Sequence, residues 1–268
     1  MLSVEKHPAT EPTPAEWLVF EQPLTERVRT FLRLEFLFSQ CEHHAQLVPA
    51  WDSRAAISAL LEIGALLARG DVRTEVLKEL ERCLLFLMRL KGSPEVDAIR
   101  LESVIGELES LRATMAGNGQ SLGAGLKENE FLTSIRNRIA IPGGTCQFDL
   151  PVYHNWLTQS HARRAHDLQH WIGELLPLRD TINLLLALTR ESAVPTREVA
   201  EQGMFLHIFE IPACPLVRVM VQATGGVYPE ISAGRQRVTI HFLERGDDEA
   251  RARQTTRDVA FKLVCCQL

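Results

Sequence analysis

The sequence predicts an α+β protein with a two-part protomer, an N-terminal antiparallel helical bundle and a smaller antiparallel β-sheet domain. Over residues 25–140 apolar side chains recur every three or four positions, which is the period of an amphipathic helix. Beyond Pro195 short segments rich in β-branched and aromatic residues alternate with turn signals, which is the pattern of antiparallel strands. A chain of 268 residues is long enough for two such parts.

Five helices are predicted in the first half of the chain. In the first, Val28, Phe31 and Leu34 step by three and make one apolar face, and Thr25 is placed to cap the start. Short connections between helices favour antiparallel neighbours, as in a bundle. The predicted helices cover residues 25–47, 53–69, 71–90, 95–115 and 126–140.

After the segment 141–144, Ile-Pro-Gly-Gly, the apolar period changes from helical to two. Cys146, Phe148 and Leu150 alternate with polar residues, which predicts a half-buried strand. A helical pattern then returns and lasts to about Glu191. Hairpin-length connections join the later strands into an antiparallel sheet. These later strands are predicted at residues 204–211, 216–222, 235–244 and 257–265.

The patterns divide the chain into three predicted parts. Residues 1–19 form a flexible lead-in, since their start is rich in Pro, Thr and Glu and has no hydrophobic signal core. The helical domain comprises residues 20–140 and 152–193. The β domain comprises residues 141–151 and 194–268.

Composition argues against several classes of protein. A net charge of −5 is unfavourable for a protein held on nucleic acid by overall basicity. No apolar run approaches the ~20 residues of a membrane span. The six cysteines are dispersed without a Cys-x-x-Cys pair, which is typical of reduced cytosolic thiols rather than of a disulfide framework or a zinc ribbon. We therefore expect no cofactor, no metal, no nucleic acid and no membrane partner.

The segment IPGGTCQFDL, residues 141–150, has features that are typical of an active-site turn. Two glycines precede Cys146, and His154 lies eight positions further on. The period of two places Cys146 on the apolar face with Leu150, where a buried thiol has a raised pKa and is unreactive. We interpret the glycines as a corner of the chain; a thiol hydrolase that uses Cys146 and His154 is the alternative.

His166 and His170 are a second candidate for chemistry. Their i, i+4 spacing on a helix is the one that zinc metalloproteases use. The residue after the first histidine is Asp167 instead of glutamate, and no third ligand can be identified. We interpret these histidines as a solvated helix face, with a metal-dependent hydrolase as the alternative.

Basic residues cluster on particular faces of this acidic chain. Arg29 and Arg33 lie opposite the apolar stripe of the first helix, with Phe36 beside them. Such a face suits an acidic and partly apolar peptide, although a simple solvated face fits the pattern equally well. On a later strand Arg235 and Arg237 share one face. A nucleic-acid-binding regulator that uses this strand face is a further alternative.

Five long stretches of unusual composition carry a family resemblance. They are FEQPLTERVRTFLRLEFL (20–37), RGDVRTEVLKELER (69–82), RNRIAIPGGTCQFDLPVYHNWL (136–157), VYPEISAGRQRVTIHF (227–242) and DVAFKLVCC (258–266). Together they resemble the ZapD family, which are cytosolic bacterial proteins associated with the FtsZ ring. The resemblance implies a non-enzymatic homodimer at the division site in mid-cell. It also implies binding to the C-terminal tail of the GTPase FtsZ, bundling of FtsZ protofilaments, assembly of the Z-ring and slower GTP turnover.

The resemblance further implies which residues bind the tail, because basic residues are thought to do so in the family. Where the family tends to carry a further arginine before Phe131, this chain has Glu130, and a lysine one turn earlier is expected to substitute. The positions that match the family, or lie in the same stretches, are Arg29, Arg33, Arg69, Arg73, Arg235 and Arg237, and Lys127 is the expected substitute.

Overall fold

The computed structural model describes residues 17–117, 122–209, 214–234, 237–245 and 251–267. The predicted α+β class is confirmed, since helices fill the N-terminal part and antiparallel sheets the C-terminal part. The chain divides into two compact units. We call residues 26–189 the helical unit, and residues 17–25 with 190–267 the β unit. The predicted lead-in lies outside the described residues up to residue 16.

The helices of the described part differ from the predicted ones mainly in their breaks. The predicted helix at 126–140 is two helices, because Asn129 is extended and its side chain accepts a hydrogen bond from the backbone of Leu132, which starts a new helix. None of these helices is both long and apolar enough to cross a membrane. The helices are α1 (Glu26–Ala45), α2 (Ala50–Arg69), α3 (Val72–Arg89), α4 (Ala98–Gly117), α5 (Ala124–Glu128), α6 (Glu130–Arg138), α7 (Pro151–Leu157), α8 (His161–Gly173) and α9 (Leu176–Glu191).

The first two helices form an antiparallel hairpin, since only residues 46–49 connect them. The apolar stripe predicted for α1 is buried, with Val28, Phe31 and Leu34 each at most 4% exposed. The stripe continues to Cys41, whose thiol donates a hydrogen bond to the Ala56 carbonyl at 3.3 Å. Burial raises the pKa of this thiol to about 12, so it serves packing instead of chemistry.

The described residues of the β unit form two antiparallel sheets with a shared apolar core. One sheet has the order β1-β4-β8-β2; the other has the order β3-β6-β5, with β7 also paired to β6. The four strands predicted beyond Pro195 are present as β3, β4, β6 and β8. The strands are β1 (Trp17–Pro23), β2 (Thr196–Ala200), β3 (Met204–Ile208), β4 (Leu216–Gln222), β5 (Val227–Ala233), β6 (Arg237–Glu244), β7 (Arg253–Gln254) and β8 (Val259–Cys266).

Strand β1 was not predicted, and it lies where the sequence indicates the end of a lead-in and the start of the helical domain. It pairs antiparallel with β4, so that Phe20 is opposite Val219. Phe20 packs against the core of the β unit. The strand therefore joins the first described residues to a partner that is about 200 positions away in sequence.

The strand predicted at Cys146–Leu150 is absent, and the prediction was wrong. Successive turns replace it: the backbone N–H of Gly144 donates to Ile141, that of Cys146 to Gly143, and that of Leu150 to Cys146, at 2.9–3.0 Å. Because these groups are satisfied locally, the segment needs no strand partner. Phe148, predicted to be on the buried face, is 83% exposed. The segment lies within the helical unit, and not in the β domain in which the sequence predicts it.

Gly143 and Gly144 hold this turn in different ways. Replacing each of them with alanine is therefore expected to lower the free energy of unfolding by a different amount. Gly143 has φ +72° with open space around it, so alanine there should cost about 1 kcal/mol of backbone strain. A Cβ on Gly144 would lie 2.6 Å from the Arg138 carbonyl oxygen and 2.8 Å from the Ile141 Cβ. Relieving that overlap should cost more, about 2–3 kcal/mol.

Urea unfolding of both variants, followed by circular dichroism, measures the two losses. Gly143→Ala is the matched control, because it adds the same methyl group one position earlier. Equal losses in the two variants would contradict the steric account of Gly144.

Candidate functional site

A groove runs along the surface of the helical unit between α1 and α2. It has a volume of about 410 Å³. Both helices contribute charged and apolar side chains to it, so it offers electrostatic and hydrophobic contacts together. The lining residues are Arg33, Phe36 and Leu37 from α1 and Glu62, Ala65, Leu66 and Arg69 from α2.

The groove follows from the spacing of side chains on the hairpin. On α1, Arg33 and Phe36 are three residues apart and therefore lie on one face. On α2, Glu62, Leu66 and Arg69 follow at i, i+4 and i+7, which also places them on one face. The small side chain of Ala65 lies on the same face and leaves room between the two helices.

Charged groups at the groove have no partner within the described part of the chain. Arg33 and Arg69 are exposed, and neither makes an ion pair or a side-chain hydrogen bond to any described residue. Phe36, which is 66% exposed, lies in the same groove. Guanidinium groups bind carboxylates with two parallel hydrogen bonds, and an exposed ring favours apolar contact. The groove is thus suited to a ligand with acidic and apolar side chains.

The antiparallel hairpin sets the positions of the charges along the groove. Arg33 and Glu62 are equally distant in sequence from the 46–49 connection, so they face each other at one level. Arg69 lies seven residues beyond Glu62 on α2. With a rise of 1.5 Å per residue, this spacing corresponds to about 10 Å along the helix. The groove therefore has a cation and an anion at one level and a second cation two turns away.

The other basic residues predicted in the helical unit do not line the groove. Arg29 makes an ion pair with Glu26 at 3.1 Å, within the first turns of α1. Arg73 donates a hydrogen bond to the backbone carbonyl of Ala116 at 3.1 Å, which ties α3 to α4. Lys127 is exposed on α5. The structure thus brings Arg33 and Arg69 together and leaves the other three residues outside the groove lining.

The predicted basic face of the β unit is described only in part, because Arg235 lies outside the described residues. Arg237 is exposed on β6, whereas Val238 and Ile240 are fully buried, so the predicted alternation is confirmed. Arg237 lies opposite Ile208 of β3, a strand at the edge of its sheet.

The acidic residue of the groove was missed by sequence reasoning. Glu62 lies at the same level as Arg33, but it is not among the predicted site residues, since these are all basic side chains. The i, i+4, i+7 spacing of Glu62, Leu66 and Arg69 was the signal that could have identified it.

The candidate thiol site lacks the geometry of a nucleophile. The Cys146 thiol contacts a carboxylate oxygen of Asp149 at 3.5 Å. Within the described residues no hydrogen bond joins Cys146 to His154. An activated cysteine needs a base in hydrogen-bond contact. The residues 141–150 therefore offer a turn, and the contacts of Cys146 do not support the hydrolase alternative.

The two histidines of α8 are exposed, as interpreted from the sequence. His166 and His170 both point away from the buried residues of this helix. Asp167, between them, accepts a hydrogen bond from the Trp156 indole at 2.9 Å and is therefore engaged in packing. In the described ranges no group of three or more His, Cys, Asp or Glu side chains is arranged to bind a metal ion.

Comparison with known proteins identifies the family. The family model named ZapD, described as a cell division protein, matches residues 32–241. A cell division protein ZapD of Methylococcus capsulatus is 39% identical over 252 residues, covering 94% of this chain and 98% of the relative. Those of Bordetella petrii and Dechloromonas aromatica are 38% and 37% identical, covering 93% and 94% of this chain and 99% and 100% of the relatives. The resemblance found in the sequence is confirmed, and the chain belongs to the ZapD family of cell division proteins.

Proposed function

We propose that this cell division protein binds the C-terminal tail of FtsZ in the α1–α2 groove and cross-links FtsZ protofilaments without catalysing a reaction. The observation that carries the proposal is a pair of guanidinium groups, Arg33 and Arg69, which have no partner among the described residues and lie in one groove with the exposed ring of Phe36. Family membership supports the division role, and the family resemblance supplies FtsZ as the partner.

Binding in the groove uses two kinds of contact. Each guanidinium group receives a carboxylate of the tail, and a two-pronged contact fixes the direction of that side chain. Phe36 and the half-buried Leu66 pack against apolar side chains of the tail. Charged contacts at an exposed groove contribute little energy each, so one tail binds weakly.

Weak binding by one groove is sufficient if the protein is a homodimer. Two grooves per dimer engage tails on two filaments, and the second contact forms at a high effective concentration. Arg235 and Arg237 of the β unit supply additional basic contacts in this proposal. Filaments held side by side exchange subunits more slowly, which promotes Z-ring assembly and lowers GTP turnover. The protein then acts in the cytoplasm at the division site.

Co-sedimentation with FtsZ polymers tests the proposal. The protein should pellet with polymers of intact FtsZ and stay in the supernatant with polymers of FtsZ that lacks its tail. Pelleting should decrease as salt rises from 0.1 M to 1 M, because the Debye length shortens from ~10 Å to ~3 Å.

Equal pelleting with the two FtsZ forms would contradict tail binding. Salt-independent pelleting would exclude the arginine contacts, even if the tail is required. A mobility shift of DNA or RNA at low salt, without pelleting, would instead favour the nucleic-acid alternative.

A further inference from the structure

Glu62 is the acidic side chain among the groove-lining residues, and it is unpaired within the described part of the chain. It is exposed, and it makes no ion pair or side-chain hydrogen bond with any described residue. Arg33 lies across the groove at the same level, but the two side chains do not pair with each other. The charged side chains of Arg33 and Glu62 are therefore both available to a ligand.

We infer that Glu62 binds a basic side chain of the ligand, so that the groove selects a peptide of mixed charge over a uniformly acidic one. This inference rests on the proposed function, in which the groove is the site for the FtsZ tail. A uniformly acidic ligand would place a carboxylate beside Glu62, and like charges brought together at an interface reduce affinity. A ligand with one basic side chain at this level satisfies Glu62 while its acidic neighbour binds Arg33.

The groove also restricts the spacing of charges in the ligand. Arg33 and Glu62 share one level, so the first acidic side chain and the basic side chain must be close together. The second acidic side chain must reach Arg69, about 10 Å further along the groove. That distance corresponds to three residues of an extended peptide, at roughly 3.3 Å per residue. In a helical peptide it corresponds to about two turns.

The surroundings of Glu62 in the described part of the chain argue against a role in holding the fold together. Acidic side chains that hold the helical unit together have partners there: Glu79 is buried and pairs with Arg27 and Arg82. Glu42 likewise pairs with Arg179. Glu62 has no such contact with the described residues, so its charge is available to a ligand in the groove.

Two peptides and one variant test the inference, because the substitution should weaken binding of one peptide and strengthen binding of the other. The first probe is the FtsZ tail peptide, and the second is the same peptide with each lysine and arginine replaced by glutamate. Fluorescence anisotropy at 0.1 M salt gives the Kd of both for the full-length protein and for Glu62→Gln, which keeps the size of the side chain. We expect the variant to bind the natural tail two- to fivefold more weakly, the range of an exposed ion pair. It should bind the acidic peptide more tightly.

Glu81→Gln is the matched control, because Glu81 is exposed on α3 and does not line the groove. It should change neither Kd. If Glu62→Gln binds both peptides more tightly, Glu62 only repels anions and the inference is overturned. Unchanged binding of both peptides overturns it as well.

Arginine variants separate this inference from the proposed function. Arg33→Ala and Arg69→Ala should each weaken binding of the natural tail. If they do, and Glu62→Gln binds both peptides more tightly or leaves both Kd values unchanged, only the role of Glu62 fails. If neither arginine variant affects tail binding, the groove is not the site, and both the proposed location and this inference fail.

Discussion

Replacing Arg33 and Arg69 together with glutamate should abolish bundling of FtsZ filaments while the protein stays folded. Both side chains are exposed and unpaired in the described structure, so their replacement removes no contact that holds the helical unit together. In the proposed contact, the tail would then meet carboxylates in place of guanidinium groups. Since like charges at an interface cost several kcal/mol, we expect tail affinity to fall by about 100-fold or more.

Light scattering of FtsZ polymers measures bundling, and circular dichroism checks the fold of the variant. The matched control is Arg89→Glu with Arg112→Glu. These two arginines are also exposed on helices of the same unit, have no partner among the described residues and do not line the groove. The control makes the same change of net charge and should bundle normally. Normal bundling by the folded Arg33/Arg69 variant would rule out the groove as the essential contact.

A helical face can be read from sequence when its period is sustained over several turns. The stripe of α1 repeats from Val28 to Cys41, and this length distinguished a helix from other structures. Arg33 and Phe36 were placed opposite the stripe by the same reasoning, and both line the groove. The partner helix could not be assigned in this way, because the pattern does not state which faces of two helices meet.

Short patterns and distant partners account for the failures. The alternation from Cys146 to Leu150 covers five residues, too few to separate a strand from consecutive turns, and the turns prevailed because they satisfy the backbone locally. Strand β1 was missed because its partner β4 is far away in sequence. The hydrogen bond from Arg73 to Ala116 was not predicted either, because it depends on how α3 and α4 pack, which sequence spacing does not reveal.

A carboxylate in the β unit is held by two arginines, and removing its charge should lower the free energy of unfolding strongly. Glu21 of β1 accepts hydrogen bonds from Arg190 at 2.8 Å and from Arg218 of β4 at 2.9 Å. All three side chains are less than a quarter exposed. Burial alone raises the pKa of Glu21, but the hydrogen bonds and charges of Arg190 and Arg218 outweigh burial, and the pKa lies below its usual value.

Glu21→Gln should lower the free energy of unfolding at neutral pH by about 2–4 kcal/mol, because it leaves two partly buried guanidinium groups without their carboxylate. The exposed side chain of Glu230 on β5 provides the control, and Glu230→Gln should change stability little at any pH. Urea unfolding at a series of pH values gives the free energy of unfolding of the natural protein and of each of the two variants.

The pH dependence separates the charge from the packing of Glu21. Because the folded state lowers the pKa of this carboxyl, its stabilising contribution is fully present above the unfolded value, near 4.5, and is lost as the pH falls through the folded pKa. The stability difference between the natural protein and Glu21→Gln should therefore be constant near neutral pH and shrink below pH 4.5. Once the natural carboxyl is protonated, both proteins carry a neutral side chain of nearly the same size. A difference that persists unchanged at acidic pH would mean that packing, and not the charge shared with Arg190 and Arg218, secures β1 against β4.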